Sequence, residues 1–115
     1  MINARVDDID ATFAALSDPT RRQVVELLRG APRRAGELAE QVAMSRPALS
    51  RHLRVLRASG LVDVEMDAVD ARGRIYRLRQ DRFTAMQAWL DQVQAFWSEQ
   101  LGEFKAHAEG RRGPA

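Results

Sequence analysis

The chain of 115 residues is long enough for one compact domain with its own core, and it is 45% apolar and 30% charged, as in soluble globular proteins. Cysteine is absent, which excludes disulfides, thiolate catalysis and thiolate metal sites. No membrane-length apolar run and no basic-then-apolar leader is present, so we expect a cytoplasmic protein.

Positive charge is concentrated in the middle of the chain, although the net charge is only +2. Residues 46–79 contain eight arginines and four acids, whereas residues 1–20 and 80–115 are net acidic. Seventeen of the eighteen basic residues are arginine, whose guanidinium group forms forked hydrogen bonds to phosphate and to guanine. The middle segment is therefore predicted to face an anionic partner.

Two helices are predicted at the start of the chain. Apolar residues recur at helical spacing over residues 9–16, which predicts a short amphipathic helix. Asp18 and Pro19 then begin a second helix, because aspartate caps free backbone N–H groups and proline suits the first helical position. Gly30 ends this second helix.

A helix-turn-helix is predicted over residues 35–59. A short helix covers residues 35–42, and a three-residue connection ends at Ser45. Ser45 caps the next helix, residues 46–59, and Gly60 is a natural stop.

The helix over residues 46–59 separates leucines from arginines. On a wheel of about 100° per residue, Leu49, Leu53 and Leu56 fall together and are predicted to face the core. The opposite face and its edges carry the predicted DNA-binding residues Ser45, Arg46, Pro47, Ser50, Arg51, His52 and Arg54. Residues 45–60 contain four arginines and no acid. In helix-turn-helix geometry such a face enters the major groove, where arginine bonds guanine O6 and N7.

Three positions near this face remain open. His52 borders the leucines, and it either contacts DNA or forms a hydrogen bond within the domain. Arg21 and Arg22, at the start of the second helix, either reach phosphate or pair with nearby acids.

Residues 62–79 predict a β-hairpin that acts as a wing. Apolar residues alternate with acids over residues 62–67, as in a strand with one exposed face, and a strand returns after a loop at residues 68–73. Arg72 and Arg74 flank a glycine at the tip, which suits contact with phosphate or the minor groove. An ordinary solvated hairpin is the alternative.

The final segment, residues 81–108, predicts one long helix with an aromatic stripe. The stripe exceeds what one small domain covers alone, and a large exposed apolar patch usually marks an interface. We expect a two-fold dimer that presents two recognition helices about 34 Å apart to a palindromic site. Its predicted interface residues are Ile9, Phe13, Trp89, Val93, Phe96, Trp97, Leu101 and Phe104. Packing within the domain and a ligand pocket between the aromatic residues are the alternatives.

These elements predict a mainly α winged helix-turn-helix with about five helices and a two-stranded wing. The predicted domain spans residues 1–109, and residues 110–115 are expected to form a disordered tail.

Four segments resemble the ArsR (arsenic-repressor-like) family: FAALSDPTRR at residues 13–22, GELA at 36–39, SRPALSRHLRVL at 45–56 and GRIYRL at 73–78. The resemblance covers about residues 9–105. It implies a homodimeric winged-helix repressor that leaves its operator when an inducer binds.

The chain departs from the family pattern at the metal-sensing positions. Metal-sensing members carry Glu-Leu-Cys-x-Cys, whereas Ala39 and Gln41 stand where the thiolates would be. Of the Asp/His set that other members use on the last helix, only His107 is present. The chain therefore resembles the metal-free branch, and neither a metal nor another cofactor is predicted.

Two other functions remain as alternatives. A winged-helix module could bind another protein through the aromatic stripe without needing DNA. A metal-responsive repressor could use oxygen and nitrogen ligands such as Asp91, Glu103 and His107. Enzymatic activity is not predicted, because the sequence offers no plausible nucleophile–base pair and no phosphate-binding glycine loop.

Overall fold

The computed structural model describes the backbone of residues 4–66 and 73–112. In chain order its elements are α1 (Ala4–Leu16), α2 (Pro19–Gly30), β1 (Arg33–Arg34), α3 (Ala35–Gln41), α4 (Arg46–Ala58), β2 (Val62–Met66), β3 (Arg74–Leu78) and α5 (Gln80–Arg112). The fold is mostly helical with a small antiparallel sheet, which confirms the predicted class. The chain forms two compact units, which divide between Ala85 and Met86 inside α5.

Side-chain caps begin two of the helices where the sequence predicts them. The backbone N–H of Arg21 donates to Asp18 Oδ1 at 3.0 Å, and the N–H of Ala48 donates to Ser45 Oγ at 3.3 Å. Each helix also has a proline in its first turn. These bonds satisfy backbone donors that have no partner inside the helix, and so they fix where α2 and α4 start.

The core of the N-terminal unit forms around the leucines of α4. Leu49, Leu53 and Leu56 are 1%, 3% and 0% exposed, which confirms the predicted buried face. Full burial of one such side chain contributes about 1.5–3 kcal/mol. The core that surrounds them includes Ala15, Val24, Leu28, Leu38, Ala39, Leu61, Val62 and Tyr76.

Gly60 turns the chain from α4 into the sheet. Its φ of 79° lies in the left-handed region, which favours glycine. A Cβ there would lie 2.8 Å from the Nε atom of Arg82, so a larger residue would also clash. After this turn, the N–H of Leu61 donates to Leu56 O at 3.0 Å.

The sheet has three strands in the order β1-β3-β2, one more than the sequence predicts. In its antiparallel register Tyr76 lies opposite Arg33 on one side and Val64 on the other. A two-residue strand such as β1 has no periodicity of its own and forms because β3 offers it a free edge. The tip of the hairpin, residues 67–72, lies outside the described residues, and with it the predicted contact residue Arg72.

Helix α5 has 33 residues, which corresponds to about 50 Å at 1.5 Å per residue. It continues to Arg112, three residues into the segment predicted as a tail, and residues 113–115 lie outside the described part. The domain boundary at residue 109 stays a prediction. Among the described helices, none combines the length and the apolar character needed to cross a membrane.

Truncation of the α4 leucine face is expected to destabilise the N-terminal unit. Leu56→Ala leaves a cavity at a fully buried position and should lower the free energy of unfolding by about 2–5 kcal/mol. The adjacent Val55, 40% exposed, provides the control, since Val55→Ala should change that free energy by less than about 0.5 kcal/mol. Urea unfolding followed by circular dichroism measures both, and equal effects would contradict this packing.

Candidate nucleic-acid interface

The outward face of α4 carries the side chains predicted to bind DNA. Ser50, Arg51 and Arg54 are all exposed, opposite the buried leucines. Ser45, Arg46 and Pro47 are exposed at the start of the helix. The helix therefore presents its first two turns, with their polar and basic groups, to solvent.

Among the described residues, the arginines of this face have no acidic partner, whereas several arginines elsewhere are paired with an acid. Arg29 pairs with Glu26 at 3.1 Å, and Arg77 pairs with Glu65 at 3.1 Å. Within residues 9–66 and 73–109, no acid lies in ion-pair range of the arginines on α4 or at the start of β3, which are Arg46, Arg51, Arg54, Arg57 and Arg74. Their positive charge is therefore available to a polyanion.

The start of α4 and the base of the wing face a common cleft. It has a volume of about 580 Å³, and its lining includes the basic residues Arg34, Arg46 and Arg74 together with the acidic Glu37. A second cleft of about 320 Å³ lies between Ser50 and Arg74. The fold thus places the predicted residues of α4 beside Arg74 of the wing.

Arg34 is a basic residue of this cleft that the sequence analysis missed. It belongs to β1, and its backbone N–H donates to Glu37 Oε1 at 3.4 Å. Glu37 also pairs with Arg33 at 4.0 Å. The available signal was the Arg33-Arg34 doublet just before the helix-turn-helix, but only strand pairing with β3 brings it to the wing.

Arg21 and Arg22 bind the end of α1. The Nε and Nη2 atoms of Arg21 donate to the carbonyl oxygens of Ala15 and Ala14, at 2.6 and 3.3 Å. Arg22 Nη1 donates to Leu16 O at 2.7 Å. The last carbonyls of a helix lack intrahelical donors and carry partial negative charge, which explains why both guanidinium groups turn towards them.

His52 faces α2 from the flank of α4. Its Nδ1 atom lies 3.3 Å from Arg21 Nη1 and 3.8 Å from Asp18 Oδ1. The side chain is 21% exposed. His52 therefore has a partner within the fold, and its predicted DNA contact stays a prediction.

Comparison with known proteins identifies the family. The model for "Bacterial regulatory protein, arsR family" matches residues 18–64. The HTH-type transcriptional regulator Rv2034 of Mycobacterium tuberculosis is 39% identical over 92 residues, which cover 80% of each chain. The chain belongs to the ArsR family.

Two further comparisons agree with this membership. The ArsR-like transcriptional regulator from Rhodococcus sp. RHA1 superimposes with a TM-score of 0.79 at 30% identity, over 96% of this chain and 98% of that one. The transcriptional repressor SdpR of Bacillus subtilis is 42% identical over 50 residues, 44% of this chain and 56% of SdpR. As an ArsR-family member the chain is a transcriptional regulator with a winged helix-turn-helix DNA-binding domain, and not an enzyme.

The metal-sensing positions of the ArsR family hold no ligands here. Ala39 is buried in the core and Gln41 is exposed. Across residues 9–66 and 73–109 the fold brings together no three side chains able to hold a metal ion, and this includes Asp91, Glu103 and His107.

Asp18 caps α2 and also lies near His52 of α4. The hydrogen bond from the Arg21 N–H holds the pKa of the Asp18 carboxyl below its usual value of 3.8. Because the folded state lowers this pKa, the ionised carboxylate stabilises the fold above pH 3.8, and the contribution is lost as the pH falls through the folded pKa.

Asp18→Asn is expected to flatten the acid side of the stability profile. Asparagine caps helices about as well as aspartate but does not titrate here, so the helix start is kept and the proton linkage is removed. Urea unfolding at a series of pH values between 2.5 and 6 should show a shallower loss of stability for the variant than for the wild type. Identical slopes would mean that Asp18 has the same pKa in both states.

Proposed function

We propose that this regulator is a homodimeric repressor that reads a palindromic operator, with α4 in the major groove and the β2–β3 hairpin as wing. One observation carries the proposal: α4 has a fully buried leucine face and, opposite it, arginines without acidic partners among the described residues. A polyanion that fits between α4 and a basic wing is double-stranded DNA. Such a ligand places the regulator in the cytoplasm.

The side chains of α4 and the wing take three kinds of role in this proposal. Arg51 and Arg54, on the exposed centre of the face, bond base edges in the major groove, with Arg46 and Ser50 beside them. Ser45 and Pro47 fix the start of the helix that enters the groove. On the wing, Arg74 contacts phosphate or the minor groove, as does Arg72.

The regulator is proposed to repress transcription when it is bound to its operator. The relative SdpR is named a transcriptional repressor, and a protein that occupies the major groove of a promoter blocks access to it. The sequence contains no cysteine for a thiolate metal site, and the signal stays open.

Removal of the central arginines is expected to weaken DNA binding strongly. Arg51→Ala and Arg54→Ala should each cost about 1–3 kcal/mol of specific binding, because each removes a potential bidentate base contact. Binding is measured by gel shift with duplex from the protein's own promoter, across a salt series.

The control for this experiment is Arg29→Ala. Arg29 is exposed on α2 and is already paired with Glu26, so its loss changes the net charge equally but should leave the affinity nearly unchanged. If the Arg51 and Arg54 variants bind DNA and repress like the wild type, α4 does not read the operator and the proposed function is wrong. Affinity that is indifferent to salt would equally contradict binding to DNA.

The dimer is proposed to form through the aromatic stripe of α5. Phe96, Trp97, Leu101 and Phe104 are 58%, 57%, 60% and 74% exposed and recur at steps that keep them on one side of the helix. Trp89 is 40% exposed and Val93 is half-buried on the same stripe. Of the two α1 residues predicted for this interface, Phe13 is 39% exposed, whereas Ile9 is buried in the single chain. Exposed apolar surface of this extent is stable in water when a second copy covers it.

Truncation of the stripe is expected to dissociate the dimer. The double variant Phe96→Ala/Trp97→Ala removes two large exposed aromatic groups and should shift micromolar protein from dimer to monomer in sedimentation velocity. Asp91→Ala, at an exposed position on the opposite side of α5, is the control and should remain dimeric. A wild-type protein that sediments as a monomer at tens of micromolar would overturn the proposed assembly.

A further inference from the structure

One guanidinium group connects three helices beside the recognition face. Arg21 lies in α2, donates through Nε and Nη2 to the end of α1, and approaches His52 of α4 through Nη1 at 3.3 Å. Its neighbour Arg22 makes a similar bond to α1 through Leu16 O, and among the described residues Arg22 makes no bond to α4. Arg21 thus differs from Arg22 in its contact with the DNA-facing helix.

The chemistry of this contact fixes the position of the proton on His52. A guanidinium group has only donors, so Nδ1 must be the acceptor and must carry no proton. Asp18 Oδ1 lies 3.8 Å from Nδ1, which is beyond hydrogen-bond distance, and it therefore accepts no hydrogen bond from Nδ1. With an acceptor required at Nδ1, the ring presents its N–H group at Nε2.

The Nε2 atom of His52 is not among the buried atoms of the described residues. The contacts of the ring are both made at Nδ1, and Nε2 has no partner among the described residues. In the same residues no side-chain nitrogen or oxygen is at once buried and without a partner. Nε2–H is therefore an accessible donor on the flank of α4, next to the arginine face.

We propose that Arg21 is a positioning residue for DNA binding, which orients His52 so that its Nε2–H group donates to an acceptor on the duplex. The inference rests on the proposed DNA-binding function and adds two roles to it. His52 supplies a hydrogen bond to a phosphate oxygen or base edge, and Arg21 acts through His52 without contacting DNA. The same guanidinium sets the flank of α4 against the end of α1.

The tautomer is tested first, on the protein without DNA. A ¹⁵N–¹H correlation spectrum of the imidazole ring near neutral pH should show the Nε2–H tautomer of His52 in the wild type, and Arg21→Gln should weaken that preference. An Nδ1–H tautomer, or a doubly protonated ring paired with Asp18, would overturn the inference while leaving the proposed function intact.

DNA binding is tested with two matched pairs of variants. Arg21→Gln should lower the affinity for promoter duplex about tenfold, as expected for loss of a charge-assisted hydrogen bond, whereas Arg22→Gln should lower it less than about twofold. His52→Gln keeps a donor at the position of Nε2 and should bind better than His52→Asn, whose shorter amide reaches only the position of Nδ1. The His52 pair leaves Arg21 and its bonds to α1 in place, and circular dichroism checks the fold of all four.

The outcomes separate the two ideas. If the wild type binds duplex and Arg21→Gln matches Arg22→Gln, or His52→Asn matches His52→Gln, this inference fails and the proposed function stands. If the wild type binds no duplex, both fail. The salt dependence of binding should be the same for Arg21→Gln and the wild type, because Arg21 does not neutralise a phosphate, and a reduced slope would show direct contact instead.

Discussion

Burial of three leucines on α4 is the constraint on which the rest of the surface depends. Leu49, Leu53 and Leu56 are at most 3% exposed, so the rotation of α4 about its axis is fixed by the core. Turning the helix by one residue would expose apolar side chains, each at a cost of about 1.5–3 kcal/mol, and would push guanidinium groups towards the interior at a larger cost. The arginine face is outward because no other rotation is stable.

The neighbouring elements place the exposed face of α4 beside the sheet. The Ser45 cap starts α4 where Arg46 and Ser50 lie near β3, and Gly60 returns the chain to the sheet in a conformation that other residues adopt poorly. The pairing of β1 with β3 then adds Arg34 to the cleft beside the wing. Local backbone chemistry therefore aligns basic side chains from separate segments, which is the geometry a winged helix needs to follow a DNA backbone.

Features with a period or a cap could be predicted from the sequence, and features that depend on tertiary pairing could not. The faces of α4, the caps at Asp18 and Ser45 and the long last helix follow from spacing and residue type. The strand β1 has two residues and forms only because β3 is beside it. The bonds of Arg21 to α1 and His52 join residues up to 31 positions apart, which no local pattern encodes. The signal that controls the regulator could not be predicted either, because the sequence lacks the cysteine motif that marks the metal-sensing members of the family.

DNA recognition through α4 and the wing is tested most directly by a titration of the ¹⁵N-labelled protein with duplex DNA from its own promoter, in which the shift of each amide signal is followed. A protein that grips DNA through α4 and the wing should show its largest shifts at residues 45–54 and at the start of β3, with little change along the exposed stripe of α5. Shifts confined to α5, or a spectrum that promoter and random duplex change equally, would contradict the account.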